Sequence, residues 1–89
     1  MDFEYDDTKR QKVLEKQGID LLDAARILNG DCLVAASDRR GETRWLAIGL
    51  LEGREIALAF TKRGDAVRLI SARRARENER TAYHARFPG

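Results

Sequence analysis

Two alternating runs meet at Glu52-Gly53, and this junction restricts the fold more than any other stretch of the 89 residues. From Thr43 to Leu51, Arg44, Leu46, Ile48 and Leu50 take one face of an extended chain; Trp45, Ala47, Gly49 and Leu51 take the other. From Arg54 to Thr61, Ile56, Leu58 and Phe60 alternate in the same way with Glu55, Ala57, Ala59 and Thr61. An acidic residue and a glycine between two such runs predict a two-residue hairpin. Both faces of the first run are largely apolar, which predicts a central strand.

Turn signals on either side extend the pattern. Cys32 to Ser37 reads as a mostly apolar strand, and Asp38 to Glu42 (DRRGE) as the turn into the next one. Arg63-Gly64-Asp65 turns into a last strand, where Val67, Leu69 and Ser71 alternate with Arg68, Ile70 and Ala72. Strands at 32–37, 43–51, 54–61 and 66–71 with short connections predict a four-stranded antiparallel meander. Phe3, Glu4 and Tyr5 have strand character over three residues, too few to add to that count.

Helices flank the strands. Asp6 or Asp7 caps a first helix, in which Lys9, Lys12 and Lys16 recur at helical spacing; Gly18 ends it in a left-handed conformation. A second helix starts at Asp20, with Asp23 approximating a capping box. It has a broad apolar face of Leu21, Leu22, Ala24, Ala25, Ile27 and Leu28, and stops at Asn29-Gly30. From Arg73 onward β-branched residues give way to Arg, Ala and Glu, predicting a basic C-terminal helix with Ser71 near its N-cap. The expected fold class is α+β: two N-terminal helices, a four-stranded antiparallel meander and a C-terminal helix, in one domain over 1–89.

The formal net charge of +2 hides an asymmetry. Residues 1–38 carry five basic and nine acidic side chains, a net of −4, whereas residues 39–89 carry twelve and six, a net of +6. Thirteen of the seventeen basic residues are Arg, whose guanidinium fork pairs bidentately with phosphate or carboxylate. Arg73, Arg74, Arg76 and Arg80 fall within eight positions, which points to a polyanion or an acidic protein partner. The single Cys32 permits no internal disulfide and reads as a buried thiol. No apolar run approaches the roughly 20 residues that span a bilayer, so a soluble cytoplasmic protein without membrane contact is expected.

Taken together, these residues resemble the BrnT family of ribonuclease toxins from type II toxin–antitoxin modules, small proteins with a RelE-like fold. Phe3 to Asp6 (FEYD) resembles the family's F-E-W-D opening, and Lys9, Lys16 and Gly18 match its K…KHG segment. Asp23, Ala24 and Ala25 resemble the E-E-A that follows, and Arg44 with Ile48-Gly49 the R…I-G strand. Leu69, Ile70, Ser71, Ala72, Arg73, Arg74, Ala75, Glu79, Arg80 and Tyr83 match IISAR-K-A…E-R…Y. Val13 and Gln17 depart from the pattern, standing where the family has Asn and His. The resemblance implies endoribonuclease activity on RNA and a ribbon-helix-helix, BrnA-like antitoxin. That antitoxin masks the toxin and carries the contacts to operator DNA.

Cleaving RNA without a metal requires deprotonation of the 2′-hydroxyl, in-line alignment, stabilisation of charge on the phosphate and protonation of the leaving oxygen. The only histidine, His84, reads as an exposed helix residue, so a site built on Arg and Lys is the workable chemistry. Candidate catalytic residues are Arg44, Arg73 and Arg80 as phosphate clamps, with Tyr83 as a base-stacking or phosphate-bonding group. Glu79 is either a general base or the anion that holds an arginine in place. Lys9, Arg74 and Arg76 are candidate RNA or antitoxin contacts. No cofactor is expected, and no metal either: Asp6, Asp7, Asp20 and Asp23 already have capping roles.

Overall fold

The computed structural model describes residues 2–39 and 41–89. Strand β1 (Asp2–Glu4) leads into helix α1 (Asp7–Gln17), a single turn α2 (Leu21–Ala24) and a 3₁₀ turn (Ala25–Asn29). Strands β2 (Cys32–Arg39), β3 (Glu42–Leu51), β4 (Arg54–Arg63) and β5 (Ala66–Arg74) follow, and then helix α3 (Glu77–Arg86). The strands form one sheet in the order β1-β5-β4-β3-β2. The β2–β5 meander is antiparallel as expected, and β1 pairs parallel to β5, with Phe3 opposite Val67.

This corrects the expected four-stranded antiparallel sheet, which is five-stranded and mixed. Three residues suffice for β1 because Phe3 packs on the core while the ladder covers the otherwise bare edge of β5. The second N-terminal helix is also corrected: one α turn tightens into 3₁₀ winding. There Ile27 lies against β3 so closely that a Cβ at Gly49 would sit 2.9 Å from its own Cβ. The expected turn at 38–42 has its centre, Arg40, outside the described residues.

Caps and turns follow the local chemistry. Asp6 accepts from the backbone N–H groups of Thr8 and Lys9, and Gly18 closes α1 at φ 70°. Asp20 caps α2 through Leu22 N–H, and its two oxygens also take a bidentate bond from Arg10 at 3.0 and 2.8 Å. That pair ties α1 to α2. Glu52 and Gly53 both have positive φ, 51° and 80°, as a two-residue hairpin of the mirror-image type requires.

The two faces of the sheet differ. Ala47, Ile56, Leu58, Phe60, Val67, Leu69 and Ala72 form the main core with Ile19, Leu21, Ala24, Ala25 and Ile27, against which Val13 of α1 and Tyr5 also pack. The opposite face is covered only in part. There α3 lays Tyr83 and Phe87 over Ile48, Ala57, Leu33 and Leu46.

A bulge in β5 decides which of these faces receives Arg73. Strict alternation from Val67 and Leu69 would carry Ser71 and Arg73 toward the core. The β4–β5 register slips between Ala59 and Phe60, so Leu69 and Ala72 are both buried in the core while Ser71 faces out. Arg73, opposite Ala57, therefore lands on the α3 face. The ladder also holds Arg73 and Arg74 in β5, overriding their helix propensity. Helix α3 accordingly starts at Glu77, and Ser71 is a strand residue instead of its N-cap.

Candidate active site

On the α3 face the uncovered end of the sheet forms a cleft of about 370 Å³ lined by Ser37, Arg44, Trp45, Leu46, Ala59, Arg73, Arg76 and Glu79. Its floor is β2 to β5 and one wall is the start of α3. Arg44 arrives from β3, Arg73 from the end of β5 and Arg76 from the N-terminus of α3, whose positive end adds to the local potential.

Glu79 is the anion that organises this wall. Both its oxygens accept from Arg73, at 2.8 and 2.9 Å, and Oε1 also accepts the Arg76 backbone N–H at 2.8 Å. The Arg73 guanidinium, followed by the Arg76 backbone bond, outweighs burial and holds the Glu79 carboxyl down at about 2. The Arg73 guanidinium is pushed up in turn by the same pair. A carboxylate this acidic is ionised at neutral pH and takes up a proton poorly, so its chemical capacity here is to aim Arg73. Arg44 is different. Its Nε is buried and has no hydrogen-bond partner, leaving a charged donor unspent beside the cleft.

The other sequence candidates lie elsewhere. Arg80 donates to the Ala75 carbonyl at 2.6 Å and flanks Glu55, outside the cleft. Tyr83 is buried, donates its hydroxyl to the Asp31 carbonyl at 3.2 Å and packs against Phe87. Arg74, one residue past Arg73, faces the opposite side and lines a separate cavity of about 420 Å³ with Gln17, Asp20 and Arg54. Lys9 is exposed on α1, which covers the core face. His84 Nε2 is 2.7 Å from Glu55, whose carboxyl pKa this bond lowers. Cys32 is half-buried, and burial raises its thiol pKa. Ser37 and Trp45 also line the cleft, and sequence reasoning misses both. Trp45 alternates with Arg44, and its ring packs on the main core behind the cleft.

Among the described residues no group of three or more His, Cys, Asp or Glu is arranged to hold a metal ion. A small α+β protein with an arginine-lined cleft at one end of its sheet is the class these features define. The family model for the ribonuclease toxin BrnT of type II toxin–antitoxin systems matches residues 5–79, and the chain belongs to that family. Among solved structures it is similar to the Brucella abortus ribonuclease toxin BrnT, at 30% identity and a TM-score of 0.66, covering 86% of this chain and 99% of that one. No curated protein matches.

Proposed function

We propose that the protein is a metal-independent endoribonuclease toxin that cleaves RNA by attack of a 2′-hydroxyl on the adjacent phosphate. Family membership supports the ribonuclease class and a protein antitoxin. The observation that carries the site is the meeting of Arg44 and Arg73, from separate strands, in one cleft, with the Arg44 Nε donor unpartnered. Arg73, fixed by Glu79, and Arg44 clamp the scissile phosphate and stabilise the charge that develops on its oxygens; Arg76 holds a neighbouring phosphate. Glu79 acts through Arg73 as a positioning residue. Arg80 and Tyr83 build the wall: one ties α3 to the end of β5, the other anchors it to the start of β2.

Cleavage of messenger RNA in the cytoplasm stops translation, and a ribbon-helix-helix, BrnA-like antitoxin relieves it by covering the cleft and carrying operator DNA contacts. Among the described residues no helix is long and apolar enough to cross a membrane. The test is cleavage of labelled RNA in EDTA. Arg44→Ala and Arg73→Ala should each lose about two to three decades in rate, as removal of an oxyanion donor does elsewhere. Unchanged rates in both variants would remove the cleft from the chemistry.

A second reading has its own support: no histidine lines the cleft, and Gln17 lines a cavity on the far face of the sheet. In that reading the basic cleft chiefly receives an acidic antitoxin segment, and expression of the protein alone leaves growth unaffected.

A further inference from the structure

The sheet forks at one end. The β3–β4 ladder runs from Leu51–Arg54 to Trp45–Phe60 and ends there. Beyond that point β3 continues to pair with β2 as far as Glu42, and β4 continues to pair with β5 as far as Arg63. Two hairpins thus splay apart, and the inner edges of Glu42–Arg44 and Thr61–Arg63 face each other without a ladder between them. The opening measures about 590 Å³ and is lined by Gly41, Glu42, Thr43, Trp45, Thr61, Lys62 and Arg63.

Two orphaned groups mark its apex. Among the described residues the buried side-chain polar atoms with no hydrogen-bond partner are Arg44 Nε and Thr61 Oγ1. The Glu52-Gly53 turn sets a register in which Arg44 and Thr61 would be the next pair after Trp45–Phe60, so both orphans stand at the first step of the fork. Thr61 is only 3% exposed, and an unsatisfied hydroxyl at that depth is costly unless something bonds to it. A guanidinium nitrogen and a hydroxyl at one step of the sheet offer the donors that a phosphate oxygen takes.

The surroundings favour an anion. Lys62 and Arg63 stand on one arm against the single carboxylate of Glu42 on the other, and among the described residues neither cation is in an ion pair. The Trp45 ring packs on the core side of the sheet, where Lys62 Nζ lies 4.4 Å from its centroid. Arg44 lines the cleft and Thr61, the position across from it, lines the fork on the same face of the sheet. The two depressions are therefore consecutive along one path.

We infer that the fork is a subsite for the nucleotide next to the cleaved bond, its phosphate bonded by Thr61 and Arg44 and neutralised by Arg63. This rests on the ribonuclease reading and extends it, giving the enzyme a grip on the RNA strand outside the cleft. It makes the length of single-stranded RNA on one side of the scissile bond a determinant of affinity.

Binding to a 2′-O-methyl RNA oligonucleotide, which the 2′-hydroxyl mechanism does not cleave, tests the fork separately from catalysis. Arg63→Ala should lower the log–log salt slope by about 0.7, the value for one phosphate no longer neutralised. Thr61→Val should weaken binding about tenfold while leaving the free protein as stable or more so, because it deletes an unsatisfied buried hydroxyl. A merely structural Thr61 predicts the reverse: unchanged binding and altered stability. A wild-type protein that binds but fails to cleave unmodified RNA sinks the ribonuclease reading, and the slopes still decide the fork. Equal slopes and affinities in wild type and variants, or no binding by the wild type, overturn the subsite.

Discussion

Glu79 is where single-residue chemistry is most exposed to measurement. Its carboxyl sits at about 2 in the folded protein against an ordinary value of 4.5. Because the folded value is depressed, the stabilisation is complete above the unfolded pKa and disappears as pH falls through the folded one. Unfolding free energy should therefore drop between about pH 5 and pH 2, by about 2–3 kcal/mol from this group. The Glu79 side chain is 13% exposed and that of Arg73 28%, so solvent screening trims the effect without erasing it. Glu79→Gln should cost about 2 kcal/mol at pH 7 and almost nothing near pH 2. Urea titrations of both proteins at the two pH values check this; a gap that persists at low pH would assign the stability to packing. The same variant should lose less cleavage than Arg73→Ala, since it leaves the guanidinium present and only loosely aimed.

Among the elements, the 3₁₀ turn sits close against β3. A Cβ at Gly49 would meet Ile27 Cβ at 2.9 Å, Ile27 Cδ1 at 3.4 Å and the Asp31 carbonyl at 3.5 Å. Gly49→Ala should thus destabilise by about 1–3 kcal/mol through overpacking, although Gly49 has no unusual backbone angle to protect. Ile27→Ala in the same chain should recover part of that loss, and denaturant midpoints of the single and double variants provide the measurement. The strand pattern is readable wherever local chemistry decides it. Glu52-Gly53 sets a register, Gly18 ends α1, and the alternation of β3 and β4 assigns their faces. It fails where a distant partner decides. β1 exists because β5 offers an edge, and Arg73 is extended because β4 pairs with it. A bulge that no local signal announces moves Arg73 to the α3 face. The basic cluster 73–80 is legible as a cluster, but the sheet distributes it: Arg73 and Arg76 to the cleft, Arg74 to the far cavity, Arg80 to a carbonyl.

Across the whole molecule the charge asymmetry of the chain becomes an asymmetry of the fold. Residues 1–38, with their net of −4, supply β1, α1, α2, the 3₁₀ turn and most of β2. Strands β3, β4 and β5 with α3, which build the cleft and the fork, carry a net of +5. Arg44, Arg73 and Arg76 line the cleft on the α3 side of the sheet, whereas Arg54, Arg74 and the lysines of α1 lie on the other. Lys9→Ala/Lys16→Ala should therefore leave RNA affinity within about twofold and its salt slope unchanged, although it removes two positive charges. Arg76→Ala removes one, and should lower the slope by about 0.7, the value for one phosphate on a single strand. Long-range attraction alone would make the double variant the weaker binder; local phosphate contact makes the single one weaker. Fluorescence anisotropy across a salt series distinguishes the two. Equal loss from both sets would mean that RNA wraps behind the sheet, and that the cleft does not define its path.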